Sequence, residues 1–385
     1  MTAREKRASG HASARMALVG VTLLVALSSL CGCGSPSKSA SPTPSPKPSA
    51  TWDSLPRFGK VVTLLDKSKK AREFVIGRDD VRSSGYTLAW TDGKHIYLRR
   101  MNSRFKTVDS QVVGEAGPGE HILDLAMDYP TLFWSIDSFT SAGIRGLEIP
   151  RGKRGSGQPQ WQVGPHMPKA LFSNLSVCWP YLAWQESSEN ETGIYLLELV
   201  KNKTRPVALV PYETELQVSV STDYVAWREG DAIVGKHIYS WESSDLMDAA
   251  YSVDDYMGSG PELNYLGAAV WIVQGKDRMS VAAQSLSHDE GEILERAPED
   301  ATFSDPAAGD ELAAWVARDA VADNRASILA HRLAPGWNVK EEWLVWSGKL
   351  DAFAVFGNSL LDTAGEVVAW RTKDGRVMAA RGEVR

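Results

Sequence analysis

Seven short apolar segments that each end in tryptophan, a near-constant spacing between them and turn-rich connections predict an all-β protein, a seven-bladed β-propeller with four antiparallel strands per blade. The segments end at Trp90, Trp134, Trp184, Trp227, Trp271, Trp315 and Trp370, at intervals of 44, 50, 43, 44, 44 and 55 residues. A four-stranded blade with its connections needs roughly 40 to 50 residues. Helical repeats share some of these periods, but here the repeated segments are short, rich in β-branched and aromatic residues, and alternate with period two.

Each Trp strand is followed by a polar turn and a second apolar strand, as in Asp92-Gly93-Lys94 before Ile96-Tyr97-Leu98, or Lys373-Asp374-Gly375 before Val377-Met378. Such turns join antiparallel neighbours, since glycine accepts the positive φ that tight hairpins demand. A third segment follows, for example Thr107–Val113, Trp161–Val163, Pro206–Val210 and Glu342–Trp346. A fourth precedes the next Trp strand: Ile122–Leu125, Leu171-Phe172, Leu216–Val220 and Phe353–Phe356. The residue before Trp is small at Ala89, Ala183, Ala226, Ala314 and Ala369, with Phe133 and Val270 as exceptions. Neighbours along a strand face opposite sides, so each Trp projects from one sheet face and leaves room on the other for the next blade's bulk. At the ends, Lys60–Leu65 has no blade of its own, and the last blade, ending in a strand near Arg376–Glu383, lacks an outer strand. The N-terminal strand is expected to supply it and close the ring, removing an edge prone to aggregation.

The 385 residues are 43% hydrophobic and 23% charged, an ordinary globular composition. Net charge is -6, with +3 in the first 32 residues and -9 in the rest, which argues against a nucleic-acid partner. Of the three cysteines, Cys31 and Cys33 fall in the leader, and Cys178 lies in an apolar stretch that predicts a buried, unreactive thiol.

Residues 1–15 carry four basic side chains, and Met16–Leu30 is an uncharged apolar run of 15 residues. That is the pattern of a signal peptide, and the run is shorter than the roughly 20 residues a spanning helix needs. It ends in Leu30-Cys31-Gly32-Cys33, which resembles the bacterial lipobox. The resemblance implies lipidation and cleavage at Cys33, with Cys31 the poorer fit because Leu30 would fill the small-residue position. An ordinary cleaved signal peptide is the other reading. Residues 34–51 contain five Pro, six Ser and no large apolar side chain, and so have nothing to bury. The expected organisation is a lipoprotein signal peptide over 1–32, a lipidated cysteine and extended stalk over 33–53, and the propeller over 54–385. The protein would sit on the extracytoplasmic face of the cell membrane, held by its lipid.

The Ala-Trp strands followed by Ile-Tyr-Leu, as at Ala183-Trp184 and Ile194-Tyr195-Leu196, resemble the TolB-like and related bacterial propeller families over roughly residues 58–385. The resemblance implies a fold rather than an activity, because propellers host hydrolases, lyases, dehydrogenases and binding scaffolds alike. The Ser-Pro-Asp-Gly turn of TolB itself is missing.

No chemical motif stands out. The seven His are scattered without metal-ligand spacing, no Gly-x-Ser-x-Gly elbow occurs, and no calcium loop is present, so neither a metal nor a cofactor is expected. His121 lies before an innermost strand, within reach of the channel or simply solvated. Glycosidase chemistry needs only two carboxylates, and Asp79, Asp80, Asp124, Asp128, Asp254, Asp255 and Glu262 fall around innermost strands. Solvated or turn-pairing acids are the plainer account. The segment from Asp245 to Gly260 replaces the expected outer strand of blade four, and its Tyr251, Asp254, Asp255 and Tyr256 make a candidate binding loop or a poorly formed strand. The sequence therefore points to a non-catalytic binding or scaffold propeller for a protein or glycan. A propeller hydrolase or lyase acting on extracellular carbohydrate is the alternative.

Overall fold

The computed structural model describes residues 52–79, 85–138, 142–149, 159–211, 216–229, 232–240, 243–245, 260–274, 278–285, 291–298, 300–319, 326–333, 341–350 and 360–382. It is a seven-bladed propeller in which every blade is a four-stranded antiparallel sheet. Strand β1 (Val61–Leu65) stands apart, and blade one follows as β2 (Glu73–Arg78), β3 (Tyr86–Thr91), β4 (His95–Met101) and β5 (Thr107–Glu115). Blade two is β6 (His121–Asp128), β7 (Thr131–Asp137), β8 (Ala142–Glu148) and β9 (Trp161–Val163). Blade three is β10 (Leu171–Cys178), β11 (Tyr181–Ser187), β12 (Glu191–Glu198) and β13 (Lys203–Pro211). Blade four is β14 (Ser219–Val220), β15 (Tyr224–Glu229), β16 (Ala232–His237) and β17 (Ser243–Asp245). Blade five is β18 (Glu262–Leu263), β19 (Ala268–Gln274), β20 (Met279–Ser285) and β21 (Gly291–Arg296). Blade six is β22 (Ala301–Ala308), β23 (Leu312–Asp319), β24 (Ala326–Arg332) and β25 (Glu342–Gly348). Blade seven is β26 (Leu361–Ala364), β27 (Val367–Arg371) and β28 (Val377–Arg381), completed by β1 on its outer edge.

The repeated Trp explains how the blades stack. In every interblade cluster, the residue before Trp in one blade packs with the Trp of the next: Ala89 with Trp134, Phe133 with Trp184, Ala183 with Trp227 and Ala226 with Trp271. Val270 with Trp315, Ala314 with Trp370, and Ala369 with Trp90 complete the circle. All seven indoles are buried. Each ring fills the hollow left by a small neighbour, and burying a large aromatic is worth several kcal/mol, on the order of 3 to 5 when it is truncated to Ala. Phe133 breaks the small-residue rule because space is found elsewhere. It lies opposite Gly146 in the sheet, and a Cβ there would come 2.2 Å from the Phe133 ring.

The ring closes as expected, with β1 antiparallel to β28 and Val61 opposite Ala380. The folded part begins earlier than residue 54, however. Trp52 is buried against Phe303, with ring centroids 6.3 Å apart, between blades five and six. A lone Trp at the end of a Pro/Ser-rich tract reads as part of the stalk, but its indole has a large apolar area to bury and the cleft accepts it. Beyond it, Leu344 of β25 accepts from the Phe58 amide at 3.2 Å and donates to the Pro56 carbonyl at 3.0 Å. Phe58 packs edge-on to Trp343, centroids 5.6 Å apart. The incoming chain thus clasps blade six before it completes blade seven. Gly59 makes the close approach possible, since a Cβ there would lie 2.1 Å from the Arg381 carbonyl oxygen.

Two strand assignments change. The innermost strand of blade seven is Leu361–Ala364 rather than Phe353–Phe356, which lies outside the described residues. Innermost strands reach their Trp strand through a tight turn, here at Gly365 with φ +57°, and a strand ending at 356 would leave a loop of about ten residues. The outer strand of blade four is Ser243–Asp245, so the acidic and aromatic segment follows that strand and does not replace it.

Candidate functional site

The innermost strand of a blade has one edge with no strand beyond it, so N–H groups along that edge need acceptors from elsewhere. Here side chains of the preceding blade supply them. Asp362 Oδ2 accepts from the Ile76 amide at 2.7 Å, and Asp124 Oδ2 from Leu175 at 2.9 Å. Ser176 Oγ accepts from Val220 at 3.0 Å, Ser219 Oγ from Leu263 at 2.9 Å, and Asp128 Oδ2 from Trp179 at 2.7 Å. Three of these acceptors, Ser176, Ser219 and Asp362, belong to one layer. In register opposite the residue before each Trp stand Val75, Ala126, Ser176, Ser219, Glu262, Ala307 and Asp362. Ala307 offers no acceptor to blade seven, and there the Thr363 amide is bonded instead by Asp362 Oδ1 at 2.8 Å.

Glu262 occupies the same layer with a longer side chain. Its carboxyl is bonded by the Ser219 hydroxyl and lies within electrostatic range of Asp362 and Asp124. Burial first, and those two acids second, push it up to about 8. Burial likewise pushes Asp362 and Asp124 up to about 7, against the opposing pull of their main-chain N–H bonds. Asp124 is buried outright, whereas Glu262 and Asp362 keep a little accessible area inside the channel although protein surrounds their carboxyls. Glu262 therefore carries a proton at neutral pH. Its two nearest acids, Asp362 and Asp124, accept from main-chain donors.

The channel widens into a cavity of about 1230 Å³ lined by the ends of the innermost strands and the turns that follow them. Among the described residues its charged lining is Arg78, Asp79, Asp128, Glu262, Asp310, Glu311, Arg332 and Asp362, with Cys178, Tyr129 and Tyr265 beside them. Burial raises Asp79, Asp128 and Asp310 as well, with Arg78 partly offsetting the effect at Asp310. Cys178 is buried, and desolvation followed by Asp128, Asp310 and Asp223 pushes its thiol up to about 12. It is unreactive, as its apolar surroundings in the sequence suggest.

The face onto which this cavity opens has two unlike halves. Trp179, Val200, Tyr239, Tyr265 and Leu266, between 43% and 69% exposed, occupy turns of blades three, four and five. Those turns are tied together: Leu199 donates to the Pro180 carbonyl at 2.9 Å, Ile238 to Asp223 at 2.7 Å, and Thr222 Oγ1 to the Tyr265 carbonyl at 3.1 Å. Opposite, on blades six, seven and one, the same turns carry the ion pairs Arg332–Glu341 at 3.5 Å and Arg381–Glu366 at 3.0 Å beside Arg78, Asp79, Asp310 and Glu311.

Of the residues expected to matter, the seven Trp are structural, and Asp79, Asp124, Asp128 and Glu262 do meet at the channel. His121 is exposed at the opposite end of its strand. Cys33, Asp80, Tyr251, Asp254, Asp255 and Tyr256 lie outside the described residues. Asp362, Asp310 and the apolar turns were missed. Their signal was present in position: Trp179-Pro180 and Tyr265-Leu266 directly precede a Trp strand. Among the described residues, no group of three or more His, Cys, Asp or Glu converges to hold a metal.

No family model matches the chain, and no curated relative does. Solved structures do. An oligogalacturonate lyase in complex with manganese is similar at 10% identity and TM-score 0.54, covering 85% of this chain and 94% of that one. Oligogalacturonate lyase from Vibrio parahaemolyticus is similar at 10% identity and TM-score 0.54, over 84% and 94%. TolB from Acinetobacter baumannii is similar at 11% identity and TM-score 0.44, over 83% and 67%. The chain is a β-propeller. At these identities the likeness is one of fold.

Proposed function

We propose that this chain is a lipid-anchored, extracytoplasmic propeller that binds a protein or glycan through its channel-mouth face and catalyses no reaction. The observation that supports it most is the use made of the channel carboxyls. Asp362, Asp124 and Asp128 are each spent on main-chain N–H groups of the following blade, a structural task that holds the ring together. The apolar crescent over blades three to five gives a partner something to bury. Lipidation at Cys33 and the stalk of residues 34–51 would hold the propeller off a membrane. Mass spectrometry of the N-terminal peptide from the native host, wild type against Cys33→Ala, tests the anchor. A diacylglyceryl-modified Cys33 supports it, and an unmodified secreted N-terminus overturns it.

A carbohydrate hydrolase or lyase is the second reading, favoured by one feature, the protonated Glu262 beside Asp362. The oligogalacturonate lyases of similar fold carry a name that implies a polyanionic substrate, whereas acids outnumber Lys and Arg six to two among the described residues of the lining here. Turnover of any neutral polysaccharide that is abolished by Glu262→Gln would decide for catalysis.

A further inference from the structure

Among the described residues, ten large apolar side chains are exposed, and their placement is uneven. Val108, Val112 and Leu209 lie on outer strands, and Leu123 and Leu171 lie at the far ends of innermost strands. The other five, Trp179, Val200, Tyr239, Tyr265 and Leu266, share one face and three consecutive blades. Nothing in the repeat demands this. The corresponding turn of blade six is Gly309-Asp310-Glu311 and that of blade seven is Gly365-Glu366, which shows that polar residues fit there. Clustered aromatic and aliphatic side chains beside a cavity are what an interface core requires.

The cavity next to the crescent supplies the second half of the recognition. Among the described residues it is lined by Asp79, Asp128, Glu262, Asp310, Glu311 and Asp362 against Arg78 and Arg332, and by no lysine. A cation at its mouth meets Asp310 and Glu311 on the turn of blade six, beside a poorly solvated channel that strengthens the attraction over that in open water. A sugar would stack on Trp179 or Tyr265, but Val200 and Leu266 offer neither a flat π-face nor a hydrogen bond. Branched aliphatic groups bury best against other apolar side chains.

Resting on the binding reading above, we propose that the channel-mouth face docks a polypeptide segment of a partner protein. Its apolar side chains lie on the crescent of Trp179, Val200, Tyr239, Tyr265 and Leu266, and a lysine or arginine beside them reaches the acidic turn of blade six at Asp310 and Glu311, which lines the cavity. The charge of the lining, set beside an apolar surface, selects such a segment over an acidic peptide or an acidic glycan. Its association slows as salt is raised, because exposed rim charges are screened within about 10 Å at 0.1 M.

The test uses the full chain in detergent, panned against phage-displayed random twelve-residue peptides and, in parallel, against an array of neutral and acidic oligosaccharides. The expected result is enrichment of peptides that combine aromatic or aliphatic residues with Lys or Arg. Their affinity should fall by at least ~10-fold in Trp179→Ala and Tyr265→Ala, and several-fold in Glu311→Gln. Thermal unfolding of each variant checks that the exposed substitutions leave the fold intact. Peptides with no basic bias, or peptides indifferent to both crescent variants, overturn the inference while a binding module stands. Crescent-dependent capture of oligosaccharides without peptides does the same and assigns a glycan partner. Silence on both arms removes the binding reading along with it.

Discussion

The Asp362 carboxylate and the Ile76 main-chain N–H, 286 residues apart in sequence, meet at 2.7 Å across the seam between the last blade and the first. One side chain thereby caps an open strand edge that no strand can reach, and its other oxygen bonds the Thr363 amide. Asp362→Ala leaves two poorly solvated donors without an acceptor and should destabilise the propeller by about 1 to 3 kcal/mol. Asp362→Asn keeps one acceptor oxygen and should lose less. Denaturant unfolding of the two variants beside the wild type measures the difference.

Stability should fall as pH rises. Glu262 titrates near 8, and Asp124 and Asp362 near 7, all above their ordinary values of 4.5 and 3.8. Between those limits the folded chain holds more protons than the unfolded one, so stability is full below about pH 4 and is lost as pH climbs through 7 and 8. The limiting slope is about 1.4 kcal/mol per pH unit for each group, reduced by whatever water shares the channel. Unfolding midpoints at pH 5 and pH 8.5 should differ in that direction, and Glu262→Gln should narrow the gap.

Glu186 offers a check on the interblade packing away from the channel. Its fully buried carboxylate accepts from the Trp184 indole at 3.0 Å, from the His166 amide at 2.8 Å and from the Met167 amide at 3.2 Å, and pairs with the His166 ring at 2.7 Å. Glu186→Ala orphans several donors at once and should lower stability by about 3 to 5 kcal/mol. A calorimetric melt with no shift would contradict this account.

The clasp before β1 should matter as much as β1 itself. Trp52→Ala empties a site between blades five and six and should cost about 3 to 5 kcal/mol. Gly59→Ala forces a Cβ onto the Arg381 carbonyl and should loosen the seam. Proteolysis between residues 52 and 60, slow in the wild type, should speed up in both.

Cys178 should resist thiol reagents in the folded protein and react on unfolding, because burial and three nearby acids disfavour its thiolate. Labelling rates with and without denaturant read this directly.

The ring was legible because Trp90 through Trp370 each answer to one demand, a large ring packed against the preceding blade's Trp strand, which leaves a period in the chain. The channel was legible only in part. Asp124, Asp128 and Glu262 were found by their place on innermost strands, but Asp362 was not, since an apolar alternation at 353–356 drew the last innermost strand too early. The crescent leaves no periodic trace. Trp179, Tyr265 and Leu266 differ from the polar residues at equivalent turns, and only the assembled blades bring them to one face.

Pairing β1 with β28 sets an order on synthesis. The strand that closes the ring is made first and its partner last, with Thr63 meeting Met378 across 315 residues of chain. Until the final blade has emerged, β1 has no partner and the seam bond at Asp362 cannot form. Ring closure thus waits on β28, and a chain that stops before it leaves the preceding blades in an arc with two open edges.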